Sequence, residues 1–186
     1  MKLSILICTM PSREEMLKKL QQQLLLLLND YDSSEYEIII NADINKNVGQ
    51  KRNALLELSK GDFVVFIDDD DEIHDNYIDA FMNVIQMNPD TDCIGYRGYI
   101  TFNGASKKNW VISKECKSWH EKDGVYYRTP NHISPVKRQI AIQVKFPEIE
   151  FGEDFEYSMG ILPYLKKEVF IDEILNSKIE IFNYEK

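Results

Sequence analysis

Short apolar runs alternate with amphipathic stretches along the first half of the chain. Three continuous apolar runs have the length of buried strands, at Leu3–Cys8, 36–40 and 62–67. Apolar residues recur at helical spacing over 12–29, Val48–Leu58 and 77–88, which predicts three helices. We expect Ser12 to cap the first helix and Gly61 to follow the second in the C′ position. This alternation predicts a parallel sheet with helices on both faces.

The second half has a weaker pattern. Cys93–Phe102 is predicted as a strand that pairs with 110–112, and 103–135 as loops and short strands over a site. A helix over 152–165 and late strands at 169–171 and 179–182 complete the prediction. No repeat or linker divides residues 1–186, so we expect a single α/β domain. Its predicted fold class is a three-layer α/β/α sandwich with a mostly parallel, Rossmann-like sheet, in two halves, 1–90 and 91–186.

Composition narrows the class of protein. With 44% hydrophobic and 28% charged residues the chain is typical of a soluble globular protein, and no apolar stretch is long enough to span a membrane. No signal peptide is evident, and the three scattered cysteines favour a reducing compartment, so we expect a cytoplasmic protein. The net charge of −9 argues against nucleic-acid binding, although it allows one nucleotide to bind through a metal ion.

Polar residues follow each of the first three predicted strands. They are Thr9, Pro11 and Arg13 after the first, Asn41 and Asp43 after the second, and Asp68–Asp71 after the third. Ligands of open α/β sheets bind beyond the carboxyl ends of the strands. We therefore expect these side chains to converge on one crevice.

The acidic run 68–71 is the strongest chemical signal in the sequence. Its carboxylates repel one another, and hard cations such as Mg²⁺ or Mn²⁺ prefer oxygen ligands of this kind. The run therefore predicts a divalent metal site. The alternative is a solvated acidic turn that caps the next helix.

Four segments resemble the family-2 glycosyltransferases, which are nucleotide-sugar enzymes of the GT-A fold. In chain order they are SILICTMPSR, NVGQKRNALLELSKGDFVVFIDDDDE, NHISPVKR and FGEDFEYS. The second is the most specific, because it is similar to the family's run of Asn-x-Gly, Arg-Asn, Gly-Asp, a strand and a DxD motif. NHISPVKR is the loosest of the four matches.

The resemblance assigns roles to the crevice residues. It implies that Asp70 binds the metal, that Asp68 contacts the ribose or lies beside it, and that Asp69 hydrogen-bonds the nucleotide in an alternative register of the run. It also implies that Thr9, Pro11 and Arg13 line the base and ribose pocket.

Two further nucleotide contacts follow from the resemblance. Asp43 corresponds to the acid that reads the uracil edge, but NADINKN replaces the family's Asp-Gly-Ser run, so base specificity stays open. Arg52 corresponds to the arginine of the Arg-Asn pair and suits a phosphate or the loop after the second strand. The alternative for Arg52 is a surface charge on a helix.

Asp154 corresponds to the catalytic base of the family's Glu-Asp segment. An inverting transfer needs a carboxylate to accept the proton of the attacking hydroxyl. Glu153 is the competing candidate, with the other acid of the pair capping the helix. For His132 two interpretations stay open: a metal ligand or acceptor contact, and a loop histidine packed under the site. Four aromatic residues form either a platform for a sugar ring or part of the core: Trp110, Trp119, Tyr126 and Tyr127.

Three functions compete on the sequence alone. The first is a metal-dependent inverting glycosyltransferase that moves a hexose from a nucleotide-sugar donor, best a UDP-sugar, to a hydroxyl of a carbohydrate or lipid-linked acceptor. In that case 1–90 is the nucleotide-sugar-binding half, and 91–186 supplies the acceptor site and the base. The second is a nucleotidyltransferase that acts on a sugar phosphate, for which TMPSR is a poor phosphate loop. The third is a non-enzymatic acidic binding module.

Overall fold

The computed structural model describes residues 1–102 and 106–181, and gives the backbone alone for 102, 106 and 173–181. In the first half the elements are β1 (Leu3–Cys8), α1 (Glu14–Leu27), β2 (Tyr36–Asn41), α2 (Val48–Leu58), β3 (Phe63–Phe66) and α3 (Tyr77–Met87). In the second half they are β4 (Cys93–Phe102), β5 (Ser106–Ile112), β6 (His120–Lys122), β7 (Val125–Arg128), β8 (Val136–Lys137), α4 (Arg138–Val144), α5 (Glu153–Ile161) and β9 (Glu168–Ile181). Short 3₁₀ turns occupy Pro11–Arg13 and Leu162–Tyr164.

One central sheet carries these strands in the order β2-β1-β3-β8-β4-β5-β7-β6, with β9 paired to β4. β1 runs parallel to both β2 and β3, as the alternating pattern predicts. Beyond β3 the sheet is mixed, because β8 pairs antiparallel with β3 and β4. The single α/β domain with a central sheet is confirmed. The parallel strands β1 and β3 end at the loop after β1 and at the acidic run, and the pairs β4–β9 and β5–β7 are parallel as well.

Alternate residues of β1 face the two sides of the sheet. Leu3, Ile5 and Ile7 lie in one buried cluster, which includes residues of α1 and α3. Leu6 lies in a second buried cluster, which includes residues of α2, α4 and α5. Burial on both sides explains why β1 is a continuous apolar run.

Two predicted helix signals are wrong. Ser12 makes no capping bond, because it lies in the 3₁₀ turn that precedes α1. Gly61 is not the C′ residue of α2, since Ser59 ends that helix in an extended conformation. Gly61 is instead a close-approach glycine: a Cβ there would lie 2.6 Å from the backbone nitrogen of Ser4 in β1.

The end of the chain also differs from the sequence-based boundaries. The helix predicted over 152–165 ends at Ile161 and continues as the 3₁₀ turn that contains Pro163, which cannot donate to a further helical turn. The two late strands join in the single strand β9, and Phe182 lies outside the described residues. Within the described ranges no helix has the length and apolar character that crossing a bilayer requires.

Candidate active site

A cleft of about 450 Å³ opens at the carboxyl ends of β1 and β3. The first turn of α2 and the segment that leads into α5 form its other walls. It is lined by Cys8, Thr9, Met10, Arg13, Lys46, Val48, Lys51, Arg52, Asp68, Asp69, Asp70, His132, Glu150, Phe151, Gly152, Glu153 and Asp154. Of the residues expected to converge, Thr9, Arg13 and Asp68–Asp70 line the cleft, together with His132 and the start of α5. Pro11, Asn41, Asp43 and Asp71 do not line it.

Asp69 is the buried anchor of the acidic run. Its Oδ2 accepts a 2.6 Å hydrogen bond from Thr9 Oγ1, and its Oδ1 lies 2.8 Å from Arg13 Nη1. These contacts join the loop after β1 to the loop after β3. Thr9 and Arg13 line the cleft and both contact the acidic run, and their place in a base and ribose pocket stays a prediction.

Asp68 lies between two basic side chains. Its Oδ1 is 3.4 Å from Arg52 Nη2, and its Oδ2 is 3.3 Å from His132 Nε2. Burial alone would raise the pKa of Asp68, but His132, Arg52 and Arg13 outweigh burial and lower that pKa. Asp68 is therefore ionised at neutral pH.

The pKa values of Asp70 and Asp71 are raised, in contrast to that of Asp68. Burial raises the pKa of Asp70, helped by the charges of Asp68 and Asp69 and opposed by Arg13, whose Nη1 is 3.4 Å from Asp70 Oδ2. Burial raises the pKa of Asp71 well above its ordinary value, and Asp71 Oδ1 has no hydrogen-bond partner among the described residues. The run is therefore partnered by arginine and histidine side chains at Asp68, Asp69 and Asp70, whereas Asp71 is held as a buried carboxyl group beside them.

The arginine of the Arg-Asn pair is buried in the wall of the cleft. Arg52 Nη1 lies 2.6 Å from Glu153 Oε1, and the two side chains are only 5% and 8% exposed. The guanidinium packs between the rings of Phe66 and Phe146, whose centroids are 5.7 and 5.3 Å away. The surface-charge interpretation of Arg52 is therefore wrong, because the side chain connects the two acidic segments of the site.

Residues of the Asn-x-Gly and Arg-Asn motifs pack the start of α2 against the segment before α5. Asn47 and Gln50 form a capping box at the start of α2. Asn53 exchanges two hydrogen bonds with the backbone of Phe146, at 2.9 and 2.8 Å. A Cβ on Gly49 would lie 2.0 Å from the carbonyl oxygen of Pro147, so only glycine allows this contact. The motif thus positions Arg52 for its partners.

The two acids at the start of α5 have different surroundings. Glu153 is buried on Arg52, and burial raises the pKa of Glu153 while Arg52 opposes that shift. Asp154 is half-buried, lines the cleft and accepts a 2.8 Å hydrogen bond from the backbone of Phe155. Asp154 is thus the more available carboxylate of the pair.

Two predicted nucleotide contacts do not line the cleft. Pro11 starts the exposed 3₁₀ turn between β1 and α1. The carboxylate of Asp43 accepts a 3.0 Å hydrogen bond from Asn45 N, which lowers the pKa of Asp43, and it lies 3.7 Å from Lys46 Nζ. Lys46, and not Asp43, faces the cleft from this loop. Both nucleotide-contact roles stay predictions.

Lys51 is a cleft residue that the sequence reasoning missed. Its Nζ donates to the carbonyl oxygen of Thr9 at 2.9 Å, and the residue is only 8% exposed. A buried ammonium with a neutral acceptor favours an anionic ligand nearby. The sequence feature that could have identified Lys51 is its position next to Arg52 in NVGQKRNALLELSKGDFVVFIDDDDE.

The two tryptophans divide between the core and a contact with α5. Trp110 is buried in the core. Trp119 donates its indole N–H to Thr129 and Ser158 and packs edge-on against Phe155 at 5.4 Å. Arg128, which the sequence reasoning also missed, stacks over Trp119 at 4.5 Å.

The side chains fit a metal that is shared with a ligand. Among the described residues no three or more acidic, histidine or cysteine side chains are arranged to enclose an ion. Mg²⁺ and related cations are commonly held by one or two carboxylates together with substrate phosphates. Asp68 and Asp70 supply such carboxylates at one wall of the cleft. His132 supplies an imidazole beside them, and its buried Nδ1 has no hydrogen-bond partner in the part of the chain that the structure describes.

Comparison with known proteins agrees with this geometry. The family model described as Glycosyl transferase family 2 matches residues 10–147, so the chain belongs to the family-2 glycosyltransferases. The resemblance seen in the sequence is thereby confirmed. The comparison with curated proteins yields no match.

Solved structures share the GT-A fold. S. aureus TarS 1–349 in complex with UDP has a TM-score of 0.71 and 16% identity, over 97% of this chain and 61% of that chain. TarS 1–349 in complex with UDP-GlcNAc has a TM-score of 0.70 and 16% identity, over 100% of this chain and 60% of that chain. A further S. aureus TarS structure has a TM-score of 0.69 and 14% identity, over 97% of this chain and 37% of that chain. The chain spans about three fifths of the TarS 1–349 chain.

Proposed function

We propose that the chain is a metal-dependent inverting glycosyltransferase that uses a nucleotide-sugar donor, best a UDP-sugar. The acceptor is a hydroxyl group of a carbohydrate or lipid-linked molecule. The observation that carries the proposal is the placement of Asp68–Asp70 and Asp154 on the walls of one cleft. Family membership favours this function over a nucleotidyltransferase or a binding module.

The donor diphosphate is assigned to the acidic wall. Asp70, with Asp68 and His132 beside it, would hold Mn²⁺ or Mg²⁺, and the bound cation would neutralise the charge of the leaving diphosphate. Lys51 and Arg13 add positive charge on the β1 side of the cleft. Thr9 holds Asp69 in place through its 2.6 Å hydrogen bond and so orients the run.

The catalytic base is assigned to Asp154. Its carboxylate accepts the proton of the acceptor hydroxyl while the hydroxyl oxygen attacks the anomeric carbon of the donor. The bond from that carbon to the diphosphate oxygen breaks, and the nucleoside diphosphate leaves with the electron pair. Glu153, the competing candidate, is a positioning residue in this proposal, because Arg52 already occupies its carboxylate.

The free cysteines Cys8, Cys93 and Cys116 fit activity in the reducing cytoplasm. Burial raises the pKa of the Cys8 thiol to about 12, so Cys8 lines the cleft as a neutral group.

The test is UDP release from a panel of UDP-sugars, beginning with UDP-GlcNAc because of the TarS complex. The proposal predicts release that depends on Mn²⁺ or Mg²⁺ and on Asp154. Absence of UDP release from every UDP-sugar of the panel would contradict it.

A further inference from the structure

A second cavity, here named the basal cavity, lies at the amino ends of β1 and β3, whereas the cleft lies at their carboxyl ends. Its volume is about 460 Å³, and it is lined by Lys2, Lys60, Gly61, Asp62, Phe63, Ile85, Gln86, Pro89, Lys137, Arg138 and Gln139. Lys2 precedes β1 and Phe63 begins β3, whereas Cys8 and Asp68 follow these strands at the cleft. A strand of this length spans about 20 Å, so the basal cavity is a separate site.

The charge of the basal cavity is opposite to that of the chain. Four basic residues line it, Lys2, Lys60, Lys137 and Arg138, against the single acid Asp62. The whole chain has 22 Lys and Arg residues against 31 Asp and Glu residues. A local positive potential in an acidic protein attracts anions to the basal cavity.

Two of the four cations lack a carboxylate partner. Lys2 Nζ lies 2.5 Å from Glu35 and Lys137 Nζ lies 3.5 Å from Asp92. Across the described ranges, Lys60 and Arg138 take part in no ion pair. Within the described part of the chain, two positive charges of the cavity therefore have no carboxylate at ion-pair distance.

Arg138 is held in one orientation. Its Nε donates to Ser59 Oγ at 3.0 Å, and its backbone N–H donates to the carbonyl oxygen of Asp62 at 2.9 Å. Ser59 is itself buried and donates to the carbonyl oxygen of Leu56. No described residue hydrogen-bonds the two terminal nitrogens of the guanidinium, and their planar fork matches phosphate oxygens.

The rest of the cavity suits an organic ligand. Phe63, Ile85 and Pro89 give it an apolar side, and the amides of Gln86 and Gln139 can donate hydrogen bonds. Its volume is in the range of small-molecule sites, and its concave shape favours a small molecule over a flat membrane surface.

We infer that the basal cavity binds a small phosphate-bearing molecule, with its phosphate on Arg138 and Lys60 and its remainder on the apolar side. This inference uses no residue of the candidate active site and does not depend on the proposed transfer reaction.

The test uses ¹⁵N-labelled protein titrated with pyrophosphate and with glucose 6-phosphate. We expect backbone amide shifts at Gly61, Gln86 and Arg138, tighter binding of glucose 6-phosphate than of glucose, and affinity at least about tenfold lower in Arg138→Gln. Lys60→Gln should also weaken binding, and because Lys60 is exposed that variant should keep the fold. Lys18→Gln, a charge change on the exposed face of α1, should leave affinity unchanged.

Three results would overturn the inference. One is the absence of amide shifts at the basal cavity, whether no amide shifts at all or the shifts are confined to the cleft around Asp68–Asp70. The second is unchanged affinity in both Arg138→Gln and Lys60→Gln. The third is Arg138-dependent sedimentation with phosphatidylglycerol vesicles without binding of either soluble phosphate, which would assign the cavity to a membrane.

Discussion

Arg52 Nη1 lies 2.6 Å from Glu153 Oε1, across 101 positions of sequence, and both side chains are buried. The same guanidinium reaches Asp68 at 3.4 Å. One residue of α2 thus connects the end of β3 with the start of α5. The separation between the acidic run 68–71 and Asp154 depends on this connection.

The first prediction concerns the stability of this pair. Arg52→Gln leaves Glu153 buried without its partner, and we expect the free energy of unfolding to fall by about 3–5 kcal/mol. Glu153→Gln should also destabilise the protein. The double variant should lose less than the sum of the two single losses, because neither charge is then left alone. Urea unfolding of the four proteins measures this coupling, and additive losses would show that the pair is not coupled.

The second prediction concerns Gly49. In Gly49→Ala the new methyl group meets the carbonyl oxygen of Pro147, so α2 must move from the 146–148 segment. We expect a loss of roughly 1–3 kcal/mol in unfolding free energy, together with weaker UDP binding because Arg52 moves with α2. Gly124→Ala is the control: it strains a positive φ of 76° but meets no atom within 4 Å. That variant should keep UDP affinity, and equal UDP binding by both variants would refute the positioning role of Gly49.

The third prediction concerns the pH dependence of stability away from the cleft. Burial raises the pKa of Glu168, although hydrogen bonds from Lys114 N and Ser113 Oγ oppose the shift. The folded state therefore holds this proton more tightly than the unfolded chain. The contribution of Glu168 to stability is full below its unfolded pKa of about 4.3, and it declines as the pH rises through the folded value.

Glu168→Gln cannot lose that proton. Relative to wild type, the free energy of unfolding of Glu168→Gln should increase, which means greater stability, as the pH rises from about 4 to about 7. Glu156→Gln, at an exposed site on α5, should show no such trend. Urea unfolding at several pH values checks this, and a difference that stays constant or decreases would contradict the assignment.

The fourth prediction separates Asp154 from Glu153. Asp154→Asn should bind UDP like wild type but transfer sugar at least about a hundredfold more slowly, since it cannot accept the hydroxyl proton. Glu156→Gln on the same helix should retain activity. Full turnover by Asp154→Asn would remove Asp154 from the mechanism, and a defect confined to Glu153→Gln would move the base to Glu153.

The parallel core of the fold follows directly from the sequence. β1 and β3 are continuous apolar runs because both faces of the sheet are covered, and the acidic run must follow β3 because carboxylates are not buried unpaired. The crevice beyond Thr9 and Asp68 follows from the same topology.

The remaining features depend on contacts that no local pattern encodes. β8 is only two residues long, yet it places His132 against Asp68 by joining β3 to β4. The pairing of Arg52 with Glu153 depends on how α2 docks against the segment before α5. The side-chain partners of the acidic run depend on the fold for the same reason, because Arg13 and His132 reach it from distant elements.

The most direct test of the account is calorimetric titration of UDP into the wild-type protein, with and without Mn²⁺. We predict that UDP binds more tightly with Mn²⁺, and that Asp70→Asn loses this metal-dependent gain while it keeps the metal-independent part. Lys18→Gln, a charge change outside the cleft, should behave like wild type. Absence of UDP binding under both conditions, or an unchanged gain with Mn²⁺ in Asp70→Asn, would contradict the assignment of the acidic run to a metal-bound nucleotide-sugar diphosphate.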